Sequence, residues 1–345
     1  MMLVSVICKT PFFVGKKRLR DNVLLSREDI PGSIIRASLA KKILRNCPLY
    51  RPQDMDPHGR HNWVYVRDVE TCSSCNQYQV CNSFSDWKIG FLQPKGAMPV
   101  TPEDRICKMN KQHGFHSAQD PHCRECAGRL ENITGWKKDG QLLKINKMRT
   151  TRTAIDRFTR TARDGTLHTI EAIYSPDITW EFEWEGIPDY FQIGDLIEIG
   201  KYTSSGYGEF IVTDLRPKEQ QQYSSDSSSV KLFLTSEAMI DAGWMDNEPV
   251  SNEEYLKKWK NALFQDLTCL KLKRVQAELD IYRGYDTTKG WGKAFKDPCL
   301  VITEGSIFEF ESTNSAEKAQ EEINQLLRKG IGIETNNGYG KLNLL

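Results

Sequence analysis

The order of hydrophobic periodicities predicts an α+β protein. Two ferredoxin-like (RRM-like, β-α-β-β-α-β) domains are expected, at 1–216 and 230–345, with a Cys/His-rich zinc-binding insertion at about 50–135 in the first. Three observations predict this. A ten-residue segment recurs: 199–208 reads IGKYTSSGYG and 331–340 reads IGIETNNGYG. The two copies align Gly200, Gly206 and Gly208 with Gly332, Gly338 and Gly340, and Tyr207 with Tyr339, as expected of two related domains each carrying a glycine-rich loop. A polar run at 217–229, PKEQQQYSSDSSS, reads as a linker. Beyond it, segments of strand period and helix period follow one another in the order a ferredoxin-like sandwich needs.

The elements can be justified in turn. In the first half, LVSVIC at 3–8 is a strand, and Ser33 is expected to cap a helix reaching about Asn46 with Ile35, Leu39 and Ile43 on one face. Segments 151–156 and 166–174 read as hairpin strands around an Asp164-Gly165 turn. Pro188, Gly194 and Asp195 argue against a second helix in 187–198. In the second half, 230–236 is a strand. A Ser251…Glu254 capping box precedes a helix over 252–267, with Tyr255, Leu256, Trp259, Leu263 and Leu267 at helical spacing. Segment 268–282 alternates as a strand, and 298–312 is strand material broken at Glu304-Gly305. Asn314 and Glu317 open a helix with Ala316, Ala319, Ile323, Leu326 and Leu327 as its apolar stripe; Gly330 stops it, and a last strand follows the second glycine loop.

Composition removes several classes. With 345 residues, 27% charged and 39% hydrophobic, the chain can bury a real core and is not wholly disordered. No apolar run reaches membrane-spanning length, and the first apolar stretch precedes the first basic one, the reverse of a secretory signal. A cytoplasmic protein is expected. The net charge is +1, yet residues 1–60 carry 12 Lys and Arg against 5 acids, and 136–163 carry 9 against 2. Residues 171–198 carry 8 acids and no Lys or Arg. Such segregation can offer a basic face to a polyanion and an acidic face to another partner; ordinary solvated faces are the alternative.

Six of the ten cysteines (Cys72, Cys75, Cys81, Cys107, Cys123, Cys126) fall between 72 and 126, with His113 and His116 among them. In a reducing compartment this pattern indicates structural Zn²⁺, one or two ions, rather than disulfides. Several groupings fit. One quartet is Cys72, Cys75, Cys123 and Cys126. A more local set is Cys107, Cys123 and Cys126 with His113 or His116, which leaves Cys72, Cys75 and Cys81 for a second ion with a histidine. No H-E-x-x-H or deaminase-type pattern accompanies them, so no catalytic metal is expected.

The glycine loops precede a strand, whereas nucleotide-binding fingerprints run strand, loop, helix; no nucleotide cofactor is expected. Tight turns beside an aromatic residue and flanking cations suit single-stranded nucleic acid held through its backbone and by stacking. A purely structural turn is the competing reading.

At this point particular residues match a known group. Ile30, Pro31, Gly32, Ser33 and Arg36 resemble the IPGS-x-x-R helix start of CRISPR-associated RAMP proteins. Arg152, Ala154, Ile155, Asp156, Arg157, Thr161, Ala162, Gly165 and Glu171 resemble their hairpin segment, and both G-x5-G-Y-G loops resemble the RAMP glycine-rich loop. The order Pro99, Pro102, Cys107-Lys108, His113/His116, Cys123/Cys126, then Gly290-Trp291, Pro298 and Gly305-Ser306-Ile307-Phe308-Glu309-Phe310, is most similar to the double-RAMP subunit of type III-D effector complexes. The chain departs from that pattern in a shortened Cys107–Cys126 interval and in the extra Cys72/Cys75/Cys81 knuckle.

The resemblance implies a non-catalytic, RNA-binding subunit of an antiviral ribonucleoprotein complex. Such a subunit grips the 5′ tag of the crRNA, lies near target RNA, and contacts the large polymerase-like subunit and the backbone RAMP subunits. Expected RNA contacts are the amides of Gly32 and Ser33 and of Gly200, Gly206, Gly208, Gly332, Gly338 and Gly340. Lys16, Lys17, Arg18, Arg36, Arg149, Arg152, Arg157 and Arg160 are the expected cations, and Tyr207, Tyr339 and Trp291 the stacking rings. Two other classes compete: a RAMP endoribonuclease using His168 or a metal-binding Asp156, and a zinc-ribbon RNA-binding adaptor outside CRISPR.

Overall fold

The computed structural model describes residues 1–18, 22–219, 222–224, 228–240, 251–282, 284, 286, 288–289, 297–313 and 316–345, with backbone alone at Lys17 and Arg18. Trp291, Gly290 and Asn314 lie outside the described residues. Strands and helices are mixed throughout, and contacts divide the chain into two units, 1–95 with 144–218 and 96–143 with 219–345. The expected insertion is therefore shared: residues up to Lys95 pack with the first unit and 96–143 with the second. Among the described residues no helix is long and apolar enough to cross a membrane.

In the first unit the main strands are β1 (Met2–Cys8), β2 (Lys147–Arg152), β3 (His168–Ile173), β4 (Thr179–Glu185) and β5 (Glu209–Pro217), with helix α1 (Gly32–Arg45). β1 lies between β4 and β5, antiparallel to both; short strands Lys88–Ile89 and Gln93–Pro94 pair with β4, and Leu196–Glu198 flanks β5. Strict alternation in β4 turns Trp180, Phe182 and Trp184 into the core and Glu181, Glu183 and Glu185 outward. Ile35, Leu39 and Ile43 of α1 join the same core, as their spacing predicts. The helix begins at Gly32 with Pro31 as N-cap, so Ser33 sits in its first turn rather than capping it. No α-helix forms between β4 and β5. The core is closed instead by 47–87, whose Val64, Val80, Phe84 and Trp87 bury with it; the rings of Trp87 and Trp184 are 5.0 Å apart.

In the second unit β6 (Ser229–Leu234), α2 (Asn252–Leu263), β7 (Leu270–Gln276), β8 (Ile307–Ser312), α3 (Ala316–Lys329) and β9 (Leu342–Leu344) follow in β-α-β-β-α-β order. Its sheet runs β7-β8-β6-β9, all antiparallel, which is the ferredoxin-like arrangement. The Ser251 side chain accepts from the Glu254 N–H at 3.2 Å, completing the N-cap. Phe308 and Phe310 bury against Phe264, with centroids 5.2 and 5.1 Å apart. Segment 268–282 yields two strands, since Leu279–Tyr282 leaves β7 to pair with Cys299–Ile302. Tyr223, inside the expected linker, is tied to Asn324 by hydrogen bonds of 2.8 and 3.2 Å.

The repeat extends well beyond its ten residues. After β1 and after β6 the chain forms a short bridge, Phe12 to Ile173 and Ala238 to Ile302. Each bridged partner belongs to a hairpin, β2/β3 or Leu279–Tyr282/Cys299–Ile302. The glycine loop then closes on the bridge by matching bonds. Lys201 N–H donates to Phe13 O and Ile333 N–H to Met239 O, both at 2.9 Å; Gly208 N–H donates to Pro11 O at 2.8 Å and Gly340 N–H to Glu237 O at 2.7 Å.

Candidate nucleic-acid interface and metal centre

β2 and β3 form a hairpin whose end, 153–167, projects beyond the last paired residues, Arg152 and His168. The strands are shorter at the tip than the expected 151–156 and 166–174. A side chain shapes that tip. The Asp156 carboxylate accepts from the N–H groups of Phe158 and Thr159, both at 2.9 Å, and these bonds hold its pKa below the usual carboxylate range. Arg160 adopts φ +56°, and an Ile155–Ala162 bridge closes the loop. Phe158 is left 97% exposed beside exposed Arg157, Arg160 and Arg163. Phe158 was not among the expected residues; a phenylalanine inside a run of arginines and threonines is the signal that could have found it.

At the hairpin base the Arg152 guanidinium lies over the rings of Tyr202 (5.1 Å) and Tyr207 (4.8 Å). Tyr207 itself is buried with Phe13, Ile170 and Ala172, and its hydroxyl reaches Thr150 Oγ1 at 3.4 Å. Tyr207 and Tyr339 are thus core residues rather than exposed stacking platforms. The expected phosphate cradle also differs from what the loops form. In 200–208 the N–H groups of Lys201, Ser205, Gly206, Tyr207 and Gly208 are all spent on carbonyls of the same unit. In the second loop those of Ile333, Asn337, Gly338 and Gly340 are spent likewise. The glycines serve close approach: a Cβ at Gly208 or Gly340 would collide with the carbonyl of Ile199 or Ile331, and one at Gly200 or Gly332 with that of Phe13 or Met239.

Arg36 is a further correction. It is buried, donating to Phe84 O at 2.9 Å and to Trp87 O, so it clamps 84–87 onto α1 and cannot meet RNA. Gly32 is buried beside it. Lys16 is exposed on strand Gly15–Arg18, which also carries Lys17 and Arg18. That strand, Val23–Ser26, β3 and β2 make one four-stranded sheet, so the two basic stretches share it. Arg149 pairs with Glu171 at 2.8 Å.

The acidic run does not form an unpaired face. Glu181 pairs with Lys95 and Arg216, Glu183 with Lys218, Glu185 with Lys88, Asp195 with Lys42, and Glu198 with Lys41 and Arg45. The hairpin segment 147–163, with six cations and Asp156 as its one acid, has no such lattice within it.

In the second unit Cys107, His113, Cys123 and Cys126 bring their donor atoms within 4.8 Å of one another. Cys107 Sγ lies 3.5 Å from Cys126 Sγ, and His113 Nδ1 3.3 Å from Cys123 Sγ. An ion with bonds of about 2.0–2.3 Å separates tetrahedral donors by roughly 3.5–3.8 Å, so the quartet fits Zn²⁺. Backbone N–H groups of Asn110 and Met109 point at the Cys107 sulfur and hold its pKa down; Gly128 leaves room where a Cβ would press on Cys126 Sγ. His113 Nε2 faces Glu125 at 3.8 Å. His116 is buried on strand Phe115–Ser117, outside the quartet. Cys72, Cys75 and Cys81 belong to the first unit. His168 Nδ1 lies 3.0 Å from the Thr166 carbonyl, and the Asp156 carboxylate is engaged in its turn.

No protein-family model matches the chain, and no curated protein does. Among solved structures it is similar to a chain of the type III-B Cmr-beta complex bound to cognate target RNA and AMPPnP (11% identity, 90% of this chain and 86% of that one, TM-score 0.43). It is also similar to a RAMP protein binding different RNA substrates (10% identity, 100% and 98%, TM-score 0.29). A third is the product of a Cas6-related gene from Pyrococcus furiosus (10% identity, 100% and 97%, TM-score 0.31).

Proposed function

We propose that this chain is a RAMP-type, non-catalytic RNA-binding subunit of a type III CRISPR effector complex, and that it holds the 5′ tag of the crRNA. One observation carries the reading: an ordered hairpin tip that exposes Phe158 among Arg157, Arg160 and Arg163, while Glu181, Glu183, Glu185 and Glu198 of its unit are paired with other cations. Guanidinium groups neutralise phosphates and a bare ring stacks on any base, a combination suited to single-stranded RNA. Arg152, pre-ordered over two tyrosines, extends the cationic track toward the base of the hairpin. The resemblance in motif order supports the crRNA, target RNA, the large polymerase-like subunit and backbone RAMP subunits as partners. Zn²⁺ in the Cys107 quartet would supply a structural cross-link for the short strands of 98–142.

The test is copurification from a host carrying the complex, followed by binding of a repeat-derived RNA across salt. A uniform 5′ tag in the recovered RNA and affinity falling steeply with salt are expected; a salt-independent affinity overturns the reading. Incubation with repeat RNA, with and without Mg²⁺, decides the nuclease alternative. Site-specific fragments lost in His168→Ala or Asp156→Asn would replace the non-catalytic reading.

A further inference from the structure

Tyr202 is a bulky residue in a backbone conformation that suits glycine. It opens the turn of the first glycine loop at φ +64°, ψ 22°, in the left-handed region where a side chain is strained. The loop does not require a ring there. In the repeat the same place belongs to Glu334, at φ +60°, ψ 26°, whose carboxylate stays in its own loop and accepts from Asn337 Nδ2 at 2.6 Å. The Tyr202 ring instead joins the cluster at the base of the hairpin, its centroid 5.7 Å from that of Phe13 and 6.2 Å from that of Tyr207. Its hydroxyl has no hydrogen-bond partner among the described residues, so the ring alone is in use.

What the two tyrosines carry is the Arg152 guanidinium, 5.1 Å from the Tyr202 centroid and 4.8 Å from that of Tyr207. Arg27, Arg36, Arg60 and Arg67, likewise buried in whole or part, spend their guanidinium groups on carboxylates or carbonyls. Among the described residues Arg152 makes no hydrogen bond and no ion pair, so its fork of N–H donors is unspent. A guanidinium held by ring faces alone is fixed in place yet keeps every donor for a ligand. Two parallel N–H groups match two oxygens of one phosphate.

We propose that Arg152 is a bidentate site for one RNA phosphodiester at the base of the hairpin, and that Tyr202 is its positioning residue, the ring whose contact fixes the guanidinium for that phosphate. The proposal rests on the RNA-binding reading above and adds to it an uncharged residue outside the cationic track. Tyr207 contributes the second ring from within the core, where its loss would disturb Phe13, Ile170 and Ala172, so Tyr202 is the position that separates ligand binding from folding.

Binding of a repeat-derived single-stranded RNA by the full-length chain, measured across salt, tests this. Tyr202→Asn removes the ring and keeps a residue that tolerates the left-handed turn. It is expected to bind about 2- to 30-fold more weakly. Its slope of log K on log salt should be shallower by about 0.7, as in Arg152→Ala, because one phosphate contact is lost. Tyr202→Phe should match the unmodified chain, and in an Arg152→Ala background Tyr202→Asn should add nothing. An undiminished effect in that background means that the ring acts on its own, and a weaker affinity at an unchanged salt slope means a merely structural role. Either overturns the proposal, as does unchanged binding in Tyr202→Asn. Should Tyr202→Asn fail to fold, Arg152→Lys replaces it, since it leaves the loop intact and keeps the charge without the fork. Weaker binding then supports the site, and an affinity equal to that of the unmodified chain overturns it. A salt-independent affinity of the unmodified chain is a different outcome: it overturns the RNA-binding reading itself, and the proposal with it.

Discussion

Phe158 and Arg36 invert what their side-chain types ordinarily do: the phenylalanine is bare and the arginine is buried. Each inversion has a cause in its neighbours. Asp156 fixes the backbone at Phe158 through two amide bonds, so the ring is presented without being packed. Replacing it should therefore leave folding alone. Phe158→Ala is expected to weaken single-stranded RNA binding about 5- to 150-fold, the equivalent of about 1–3 kcal/mol of stacking, with an unchanged Tm; fluorescence anisotropy and calorimetry read the two effects separately. Arg36 is the opposite case. Its guanidinium satisfies the carbonyls of Phe84 and Trp87, and Arg36→Met would leave them buried without those donors, a loss of about 2–4 kcal/mol. Chemical denaturation should show that loss while the RNA affinity of the folded protein is unchanged; an equal fall in affinity at undiminished stability would return Arg36 to the interface. The arginine's role was not legible in the sequence. An arginine three residues after a helix-start motif carries no mark of burial, because burial depends on residues about 50 positions away.

The hairpin and the glycine loops separate two roles that the sequence alone merges. The repeated glycines were legible as tight turns, and their matching φ values and matching bonds to Phe13 and Met239 show why the pattern recurs. What was not legible is that the amides of Gly206, Gly208, Gly338 and Gly340 are spent on carbonyls of their own units and not left for phosphate. Gly208→Ala and Gly340→Ala should accordingly lower stability, since each Cβ meets a carbonyl of its own unit. The hairpin end behaves differently. Tyr207, Phe13, Ile170 and Ala172 pack at its base, so replacing 153–167 with Asn-Gly retains the paired strands and removes only the tip. The expected outcome is a folded protein whose RNA affinity has dropped. Its dependence of log K on log salt should be shallower by roughly 2, about 0.7 for each phosphate lost with Arg157, Arg160 and Arg163. A truncated protein with an unchanged salt slope would move the interface away from the hairpin.

Across the molecule, a net charge of +1 conceals a division of labour between paired and unpaired charge. The acidic run was visible as composition, but its partners, from Lys41 to Lys218, come from segments that only the fold assembles. The same holds for the cysteines. Their spacing showed knuckles, yet the chain divides them between units, because 96–143 packs with 219–345. That packing has identifiable contacts: Gly305, at φ +87°, leaves no room for a Cβ beside the Val100 carbonyl, and Lys231 pairs with Glu103 at 2.6 Å. Strands of two to four residues between Met98 and Leu142 are too short to be stable by themselves, and an ion held by the Cys107 quartet would cross-link them. Cys126 is the exposed member, so Cys126→Ser removes a ligand with little change in packing. Hydrogen exchange should then accelerate in 98–142 and remain unchanged in β2 and β3, and RNA affinity should persist. Exchange that rises equally in both units would mean that the ion governs the whole fold, and protection unchanged in 98–142 would mean that the quartet holds no structural metal.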